Sequence, residues 1–424
     1  MIWQANALQE FFLNLSGFVY EHGNIFDIGF DSRSLKIGGM FFALPGLSSD
    51  GHDFVEHCID NGASCCVVSK DLSSIVNPNV WAKCILVPNV MDAFVKLAAY
   101  RKKFLNATTI AVTGSVGKTT SKFGLVHFLK KINQHVFCAP SSFNNLLGIA
   151  FLYNCVPLDT EFLIVEIGTN SLGEIAQLSQ FVEPDYSLIT HISVAHIGDF
   201  KSIGNILREK ADIIKYTKKC TFFNGDFWYE FFLKKVADES SVAFEVFHNH
   251  DGLDSALSTL KSAWMAIFAK LGLSFLDDST FGKNLTGRRD LFQARLNNAN
   301  FHIVDSCYNA NLASMLDALQ FLHKNFPNTH KVAILGDMKG VDHRAKRYHE
   351  VLNCYLADID LVLLVGDHMQ YLFAKNQKYL WFENNDRLIN YLQSSLNSDS
   401  AVLIKGSNSM NLNQVVEFFD NFRI

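Results

Sequence analysis

The sequence contains no apolar run of the ~18 residues that a membrane-spanning helix requires. Its opening, MIWQANALQEFFLNL, has neither a basic lead nor a small-residue cleavage site. A secretory signal is therefore not expected, and a cytoplasmic location is. Neither sign of charge dominates: 37 basic residues face 42 acidic ones, for a net charge of −5. That balance argues against a nucleic-acid coat or a polybasic membrane-surface protein. Short basic groups such as Arg101-Lys102-Lys103 read as solvated helix ends. Cysteine is present without organisation. Nine scattered residues, an odd number, fit a reduced chain better than a disulfide framework. No metal-type spacing surrounds Cys65-Cys66, which read as core packing. Proline is scarce at 7 residues beside 37 phenylalanines, and no function follows from either count. No internal repeat or low-complexity linker is visible.

What is present suffices for several cores. The chain has 424 residues, 49% hydrophobic and 19% charged, so disorder is not expected as the dominant state. At ~150 residues per domain it should hold two or three. The pattern predicts an α/β protein of three domains, residues 1–103, 104–289 and 290–424. In the first, GNIFDIGF, GGMFFAL, ASCCVV and CILV read as strands. A helix is expected from His52 to Asn61 and another from Asp92 to Phe104. In the second, TTIAVT, EFLIVEI and DYSLITHI read as buried strands of a parallel sheet, with loops at one end. The segment from Asp226 to about Thr259 is the least legible, and its HNHDG cluster reads as a turn. In the third, FHIVD, KVAILG, LVLLVG and AVLIKG alternate with helices, as in a doubly wound sheet. Leu312, Met315, Leu316, Leu319 and Leu322 carry helical spacing, with Asn311 as the expected N-cap.

The most informative string is Val112-Thr113-Gly114-Ser115-Val116-Gly117-Lys118-Thr119-Thr120. It stands between a strand and a helix, where a phosphate loop belongs. Glycines let backbone N–H groups approach phosphate oxygens, and the helix N-terminus adds a favourable field. Lys118 would reach the β- and γ-phosphates, and the Thr119 hydroxyl would face Mg²⁺. The strict GxxxxGK[ST] pattern fails at Val112. Glu166 closes an apolar strand at the end where a metal partner is needed. His196 follows the strand DYSLITHI at the same sheet end. Lys210, fourteen residues on, reads by itself as an exposed lysine.

Taken together, these strings resemble the ATP-dependent Mur ligases of peptidoglycan synthesis. Asp31-Ser32-Arg33, Phe42-Ala43-Leu44, Gly46, Asp50-Gly51-His52 and Gly62-Ala63 look like the family's N-terminal UDP-sugar domain. TGSVGKTT is its form of the phosphate loop, which explains Val112. Phe143 to Gly148, Glu166 to Asn170, Gly173-Glu174-Ile175 and Ala195-His196 follow in the family's order. Tyr308-Asn309-Ala310-Asn311, Gly336-Asp337-Met338, Lys405-Gly406-Ser407 and Ser409-Met410 are similar to its dipeptide-adding branch. No DNPR string of the diaminopimelate-adding branch is found.

The resemblance implies an ATP-dependent, ADP-forming amide ligase that joins D-alanyl-D-alanine to UDP-N-acetylmuramoyl-tripeptide through an acyl-phosphate. It implies ATP, two Mg²⁺ ions and a monomer without nucleic-acid partners. Lys118, Glu166, His196 and Lys210 would be catalytic, with Lys210 open to carbamylation as a ligand of the second metal. Gly114, Ser115, Val116, Gly117, Lys118, Thr119, Thr120, Asn145 and Arg288 would hold ATP. Asp31, Ser32, Arg33, Asp50, Gly51 and His52 would hold the UDP end, and Tyr308, Asn309 and Asn311 the dipeptide. Several positions depart from the family. Ser306 replaces the second acid of its DDSYNANP string, and Leu312 replaces the proline. His191 stands where an asparagine is usual, and the adenine-contacting asparagine has no clear counterpart near Leu260. After Met338, Lys339-Gly340-Val341 replaces ELG. The γ-phosphate end is intact and the adenosine end eroded. That leaves open a different amide ligase, of the folylpolyglutamate or tripeptide-adding kind, and a nucleotide- or UDP-sugar-binding homologue without turnover.

Overall fold

In a computed structural model, residues 2–46, 49–132, 134–140, 142–193, 200–225, 227–248, 256–278, 281, 290–341, 344–376, 378–396 and 398–424 are described. The backbone forms three α/β sheets. The first contains β1 (Asp27–Gly29), β2 (Gly39–Phe42), β3 (Cys65–Val68) and β4 (Cys84–Leu86), in that order and all parallel. Cys65 and Cys66 are fully buried in β3, as their apolar neighbours predict. Phe41, Val55, Cys58, Cys66 and Val68 share one core beneath the sheet.

The second sheet is built from β5 (Thr108–Thr113), β6 (Val136–Cys138), β7 (Phe162–Glu166), β8 (Tyr186–Ile189), β9 (Cys220–Asn224) and β10 (Ala243–Phe247), ordered β10-β9-β8-β5-β7-β6. The expected strand TTIAVT is β5, residue for residue. Its β-branched side chains suit a strand covered on both faces.

The third sheet contains β11 (Asp290–Leu296), β12 (Ala299–Asp305), β13 (His330–Gly336), β14 (Leu361–Val365), β15 (Leu380–Phe382) and β16 (Ser400–Lys405), ordered β11-β12-β16-β13-β14-β15. All its pairs are parallel except the hairpin β11–β12. Asn297 and Asn298 both take positive φ (51° and 63°) at that hairpin, the backbone of a two-residue primed turn. The helix Leu312–Asn325 starts as expected. The Asn311 side chain accepts from the Ser314 N–H, and Ser314 returns the bond, closing a capping box.

By compactness the chain falls into two units. One comprises Met1–Ala111, Leu129–Thr169 and Gln177–Tyr186; the other comprises Val112–Phe128, Asn170–Ala176 and Ser187–Ile424. In the first unit one expectation is corrected. Arg101 is not a solvated helix end: its guanidinium is buried, donates to the Val156 carbonyl (2.7 and 3.2 Å) and lies 4.8 Å over the Trp3 ring. The helix Val90–Lys102 packs this end inward, so a basic C-terminal residue serves the core as well as the helix dipole. Lys102 is also engaged, with the Phe181 carbonyl and Glu183. In the illegible segment lie the helix Glu230–Glu239 and the edge strand β10. Most of HNHDG falls outside the described residues. Among the described residues, no helix is long and apolar enough to cross a membrane.

Candidate functional site

The turn after β5 is shaped by two glycines. Gly114 takes φ +146° and Gly117 φ +87°, where side chains are strained. A Cβ on Gly114 would also overlap the Thr190 hydroxyl. The segment after β8 clamps this turn. Thr190 N–H donates to Thr113 O (2.9 Å), and Ser115 N–H donates to His191 O (2.6 Å). Thr190 Oγ1 donates to Val116 O (2.6 Å), and Ser115 Oγ exchanges bonds with Ser193 O (3.0 Å) and Ser193 N–H (3.1 Å). The loop is therefore braced from outside before any ligand binds. Lys118 Nζ donates to Gly114 O at 2.8 Å, folded back across the loop it would serve. Thr119 is buried at the start of the helix Lys118–Lys131. Ser115 and Val116 complete the turn, and Thr120 lies in the first turn of the helix.

The helix Ala256–Lys270 packs against the same unit through apolar contacts. Leu260 approaches Gly117, and the Trp264 ring covers Gly124 so closely that no Cβ would fit. On the other side the His191 ring lies 4.5 Å from that of Phe227, which stacks on Tyr229. Burial lowers the His191 pKa, which favours a neutral ring.

Lys210 is the correction that matters most in this unit. Read by itself it was an exposed lysine; in the helix Ile203–Ala211 it is 5% exposed. Burial drives its pKa well down, and the Lys118 ammonium pushes the same way. Glu209 and Glu174 oppose both. Glu209 is itself spent on the backbone, accepting from Gly173 N–H (2.6 Å) and Ile175 N–H (2.8 Å) at the start of the helix Glu174–Val182. That carboxylate caps a neighbouring helix from its buried position.

In the other unit, Glu166 closes β7 with 3% exposure. Its Oε1 accepts from Asn144 Nδ2 at 2.9 Å. Asn145 uses its side-chain oxygen to cap the helix Leu146–Cys155, accepting from Gly148 N–H at 2.9 Å. Of the two asparagines, Asn144 is the one that orients the acid. Near the first sheet, Asp50 Oδ1 accepts from His52 Nδ1 (2.6 Å) and Oδ2 pairs with Lys70 (2.5 Å). His52 Nε2 accepts from Ser69 N–H (3.0 Å). The Lys70 ammonium first, and the His52 bonds after it, hold the Asp50 carboxyl below the usual range. Gly51 sits where a Cβ would meet the Ala43–Leu44 backbone. Asp31 forms a bidentate pair with the exposed Arg33, which lowers its pKa to about 2. Ser32 lies between them.

On the third sheet, Tyr308 is half-buried and Asn309 exposed, while Asn311 serves as the helix cap. Asp337, His349 and His368 bring ligand-type atoms within 4.8 Å of one another. Asp337 accepts from Met369 N–H (3.0 Å) and Lys339 (2.9 Å). The His349 ring joins Ala345 O (2.7 Å) and Met338 N–H (3.0 Å). Those bonds make this group a clasp between β13 and the helices Ala345–Val351 and Met369–Phe373.

His196 and Arg288 lie outside the described residues. The sequence assigns no role to Thr190, Ser193, Asn144 or Glu209. Each acts through a bond to a distant backbone or side chain; Asn144 stands within the family-like string Phe143 to Gly148, and Thr190 lies in the expected strand DYSLITHI, toward the sheet end.

A braced glycine turn between a buried strand and a helix, carrying Lys118 and Thr119, defines an α/β protein with a phosphate-binding loop. Three domain families cover most of the chain. The Mur ligase family catalytic domain matches residues 24–103, the Mur ligase middle domain 112–271, and the Mur ligase glutamate ligase domain 287–408. The chain is 30% identical over 461 residues to the UDP-N-acetylmuramoyl-tripeptide–D-alanyl-D-alanine ligase of Rickettsia prowazekii, covering 99% of this chain and 100% of that one. Its fold resembles MurF from Acinetobacter baumannii (TM-score 0.80, 22% identity, 99% of each chain). It also resembles the MurF ligase from Thermotoga maritima in complex with ADP (TM-score 0.77, 23% identity, 93% of this chain and 97% of that one). The chain belongs to the Mur ligase family.

Proposed function

We propose that this protein is an ATP-dependent amide ligase that joins D-alanyl-D-alanine to UDP-N-acetylmuramoyl-tripeptide, forming the UDP-linked pentapeptide precursor of peptidoglycan in the cytoplasm. The observation that carries the reading is the end-to-end relation to the Rickettsia prowazekii protein of that activity. The phosphate loop and its brace supply the chemistry.

In the first step the tripeptide's terminal carboxylate attacks the γ-phosphorus of ATP, and ADP leaves. In the second the dipeptide amine attacks the acyl carbon, inorganic phosphate leaves, and the amine loses a proton. Carboxylate and γ-phosphate are both anions, so positive charge must offset their repulsion. Lys118 supplies one such charge after leaving Gly114 O. Thr119 and Glu166 offer the hydroxyl and carboxylate oxygens that suit Mg²⁺. Bound there, Mg²⁺ would polarise the transferring phosphoryl group. Asn144 fixes the Glu166 carboxylate for that role.

Lys210 fits carbamylation for a physical reason. Its depressed pKa favours the neutral amine, the form that adds to CO₂ and releases a proton. The carbamate would join His196 as a ligand of a second Mg²⁺. By the family resemblance the labour would divide among three stretches: residues 1–103 would hold the UDP end through Asp31, Ser32, Arg33, Asp50, Gly51 and His52. Residues 104–289 would hold ATP, with Asn145 at the γ-phosphate or the metal shell and Arg288 approaching ATP in the closed form. Residues 290–424 receive the dipeptide at Tyr308, Asn309 and Asn311.

Mass spectrometry of the product tests the assignment. Incubation with ATP, Mg²⁺, UDP-N-acetylmuramoyl-tripeptide and D-Ala-D-Ala should yield the UDP-pentapeptide. Protein that binds the UDP substrate and gives no product over a wide ATP range would instead be a binding homologue.

A further inference from the structure

Lys405 ends β16, the strand between β12 and β13, and its side chain is 3% exposed. An ammonium at that depth must be satisfied by acceptors. It donates to Asn309 O at 2.8 Å and to Ser306 O at 3.3 Å. Both carbonyls belong to the loop that leaves β12 and enters the helix Leu312–Asn325. The same loop is held at its root, where Ser306 N–H donates to Ile404 O (2.9 Å) and Cys307 N–H to Asp305 Oδ1 (3.0 Å). At its far end Ala310 N–H donates to Asn309 Oδ1 (2.8 Å), and Asn311 begins the capping box. Between these anchors stand Tyr308 and Asn309, half-buried and exposed. Two residues beyond Lys405, Ser407 binds the next loop of the sheet. Its N–H donates to Asp337 O (3.0 Å), and its hydroxyl accepts from Lys339 N–H (2.9 Å). The C-terminal end of β16 thus draws the loops after β12 and β13 together.

We propose that Lys405 is a positioning residue for the second substrate, the amine-bearing D-dipeptide. It acts through the Ser306 and Asn309 carbonyls to set where Tyr308 and Asn309 stand, and it does not touch the dipeptide itself. This rests on the proposed ligase function. Two charge-assisted bonds to one six-residue loop (306–311) fix its shape more firmly than neutral ones would.

Lys405→Met removes both bonds. The KM for D-Ala-D-Ala should rise tenfold or more, with the KM for ATP within twofold of wild type. Amide hydrogen exchange at residues 306–311 should quicken in the same variant. Equal rises in both KM values, or an unchanged dipeptide KM, would overturn the proposal. Lys405→Gln keeps an N–H donor on a shorter arm and covers the case in which Lys405→Met fails to fold. A dipeptide-selective KM rise in Lys405→Gln supports the assignment, and wild-type kinetics there contradict it. Wild-type protein that makes no pentapeptide would count against the ligase reading alone. Hydrogen exchange then decides for Lys405, and unchanged exchange at 306–311 in either folded variant overturns its role.

Discussion

The Thr190 hydroxyl donates to the Val116 carbonyl at 2.6 Å and stands where any Cβ on Gly114 would fall. One side chain from the end of β8 thus both fixes the phosphate loop and enforces glycine at its first turn. Leaving the half-buried Val116 carbonyl without this donor costs about 1–3 kcal/mol. Thr190→Val should therefore raise the ATP dissociation constant by roughly 5- to 100-fold. Thr190→Ser, which keeps the hydroxyl, should stay near wild type. Calorimetric titration with ATP or a non-hydrolysable analogue distinguishes the two.

Gly114→Ala places a Cβ against the same hydroxyl, in a backbone region that side chains rarely adopt. The loop can accommodate it only by opening. Nucleotide binding should be lost, while the far-UV circular dichroism spectrum is retained. An alanine variant that binds ATP normally would show that the braced turn is not the nucleotide's seat.

Lys210 makes opposite predictions for stability and activity. Its folded-state pKa lies below its unfolded value, so the folded state loses stability wherever the unfolded chain binds the extra proton. That penalty is full below the folded pKa and fades as pH rises toward 10.5. Lys210→Met should therefore raise the melting temperature at neutral pH. The gain should shrink in alkaline buffer, and turnover should be lost. Depleting CO₂ should lower wild-type activity and bicarbonate should restore it, whereas the methionine variant should respond to neither.

The Asn144–Glu166 bond predicts a metal phenotype. Asn144→Ala removes the bond that Asn144 donates to Glu166 Oε1, so the carboxylate is less firmly aimed. The Mg²⁺ concentration for half-maximal activity should rise by roughly tenfold, with a smaller change in the KM for the UDP substrate. Asn145→Ala should behave differently, weakening the helix Leu146–Cys155 by the ~1 kcal/mol expected of a lost N-cap.

The eroded adenosine end predicts weak ATP affinity. The family resemblance leads one to expect an adenine-contacting asparagine near Leu260, and Leu260 instead approaches Gly117 with apolar surface. Each missing hydrogen bond costs roughly 1–3 kcal/mol. The KM for ATP should accordingly be high, and discrimination against GTP poor. Tight and adenine-selective nucleotide use would contradict this.

Much of the fold was legible because its strands are short, apolar and bounded by turn residues. TTIAVT became β5 without a shift, and the i, i+3, i+4, i+7 leucines became the helix that Asn311 caps. The segment beyond Asp226 was opaque for a physical reason. β10 lies at a sheet edge and shows no clean alternation of buried and exposed positions. The phosphate loop, Glu166 and the Asn311 cap carried their signals in local spacing. The brace from Thr190 and Ser193, the Asn144–Glu166 bond and the Glu209 cap join residues 22 to 78 positions apart. Local periodicity carries no record of such pairings. Lys210 shows the limit most clearly, since its burial depends on what packs over its helix.

Release of inorganic phosphate, followed while each component is withheld in turn, tests the central claim most directly. Sustained release is expected only with ATP, Mg²⁺, UDP-N-acetylmuramoyl-tripeptide and D-Ala-D-Ala all present, one phosphate for each amide formed. Sustained release without either substrate, or none with the complete mixture, would contradict it.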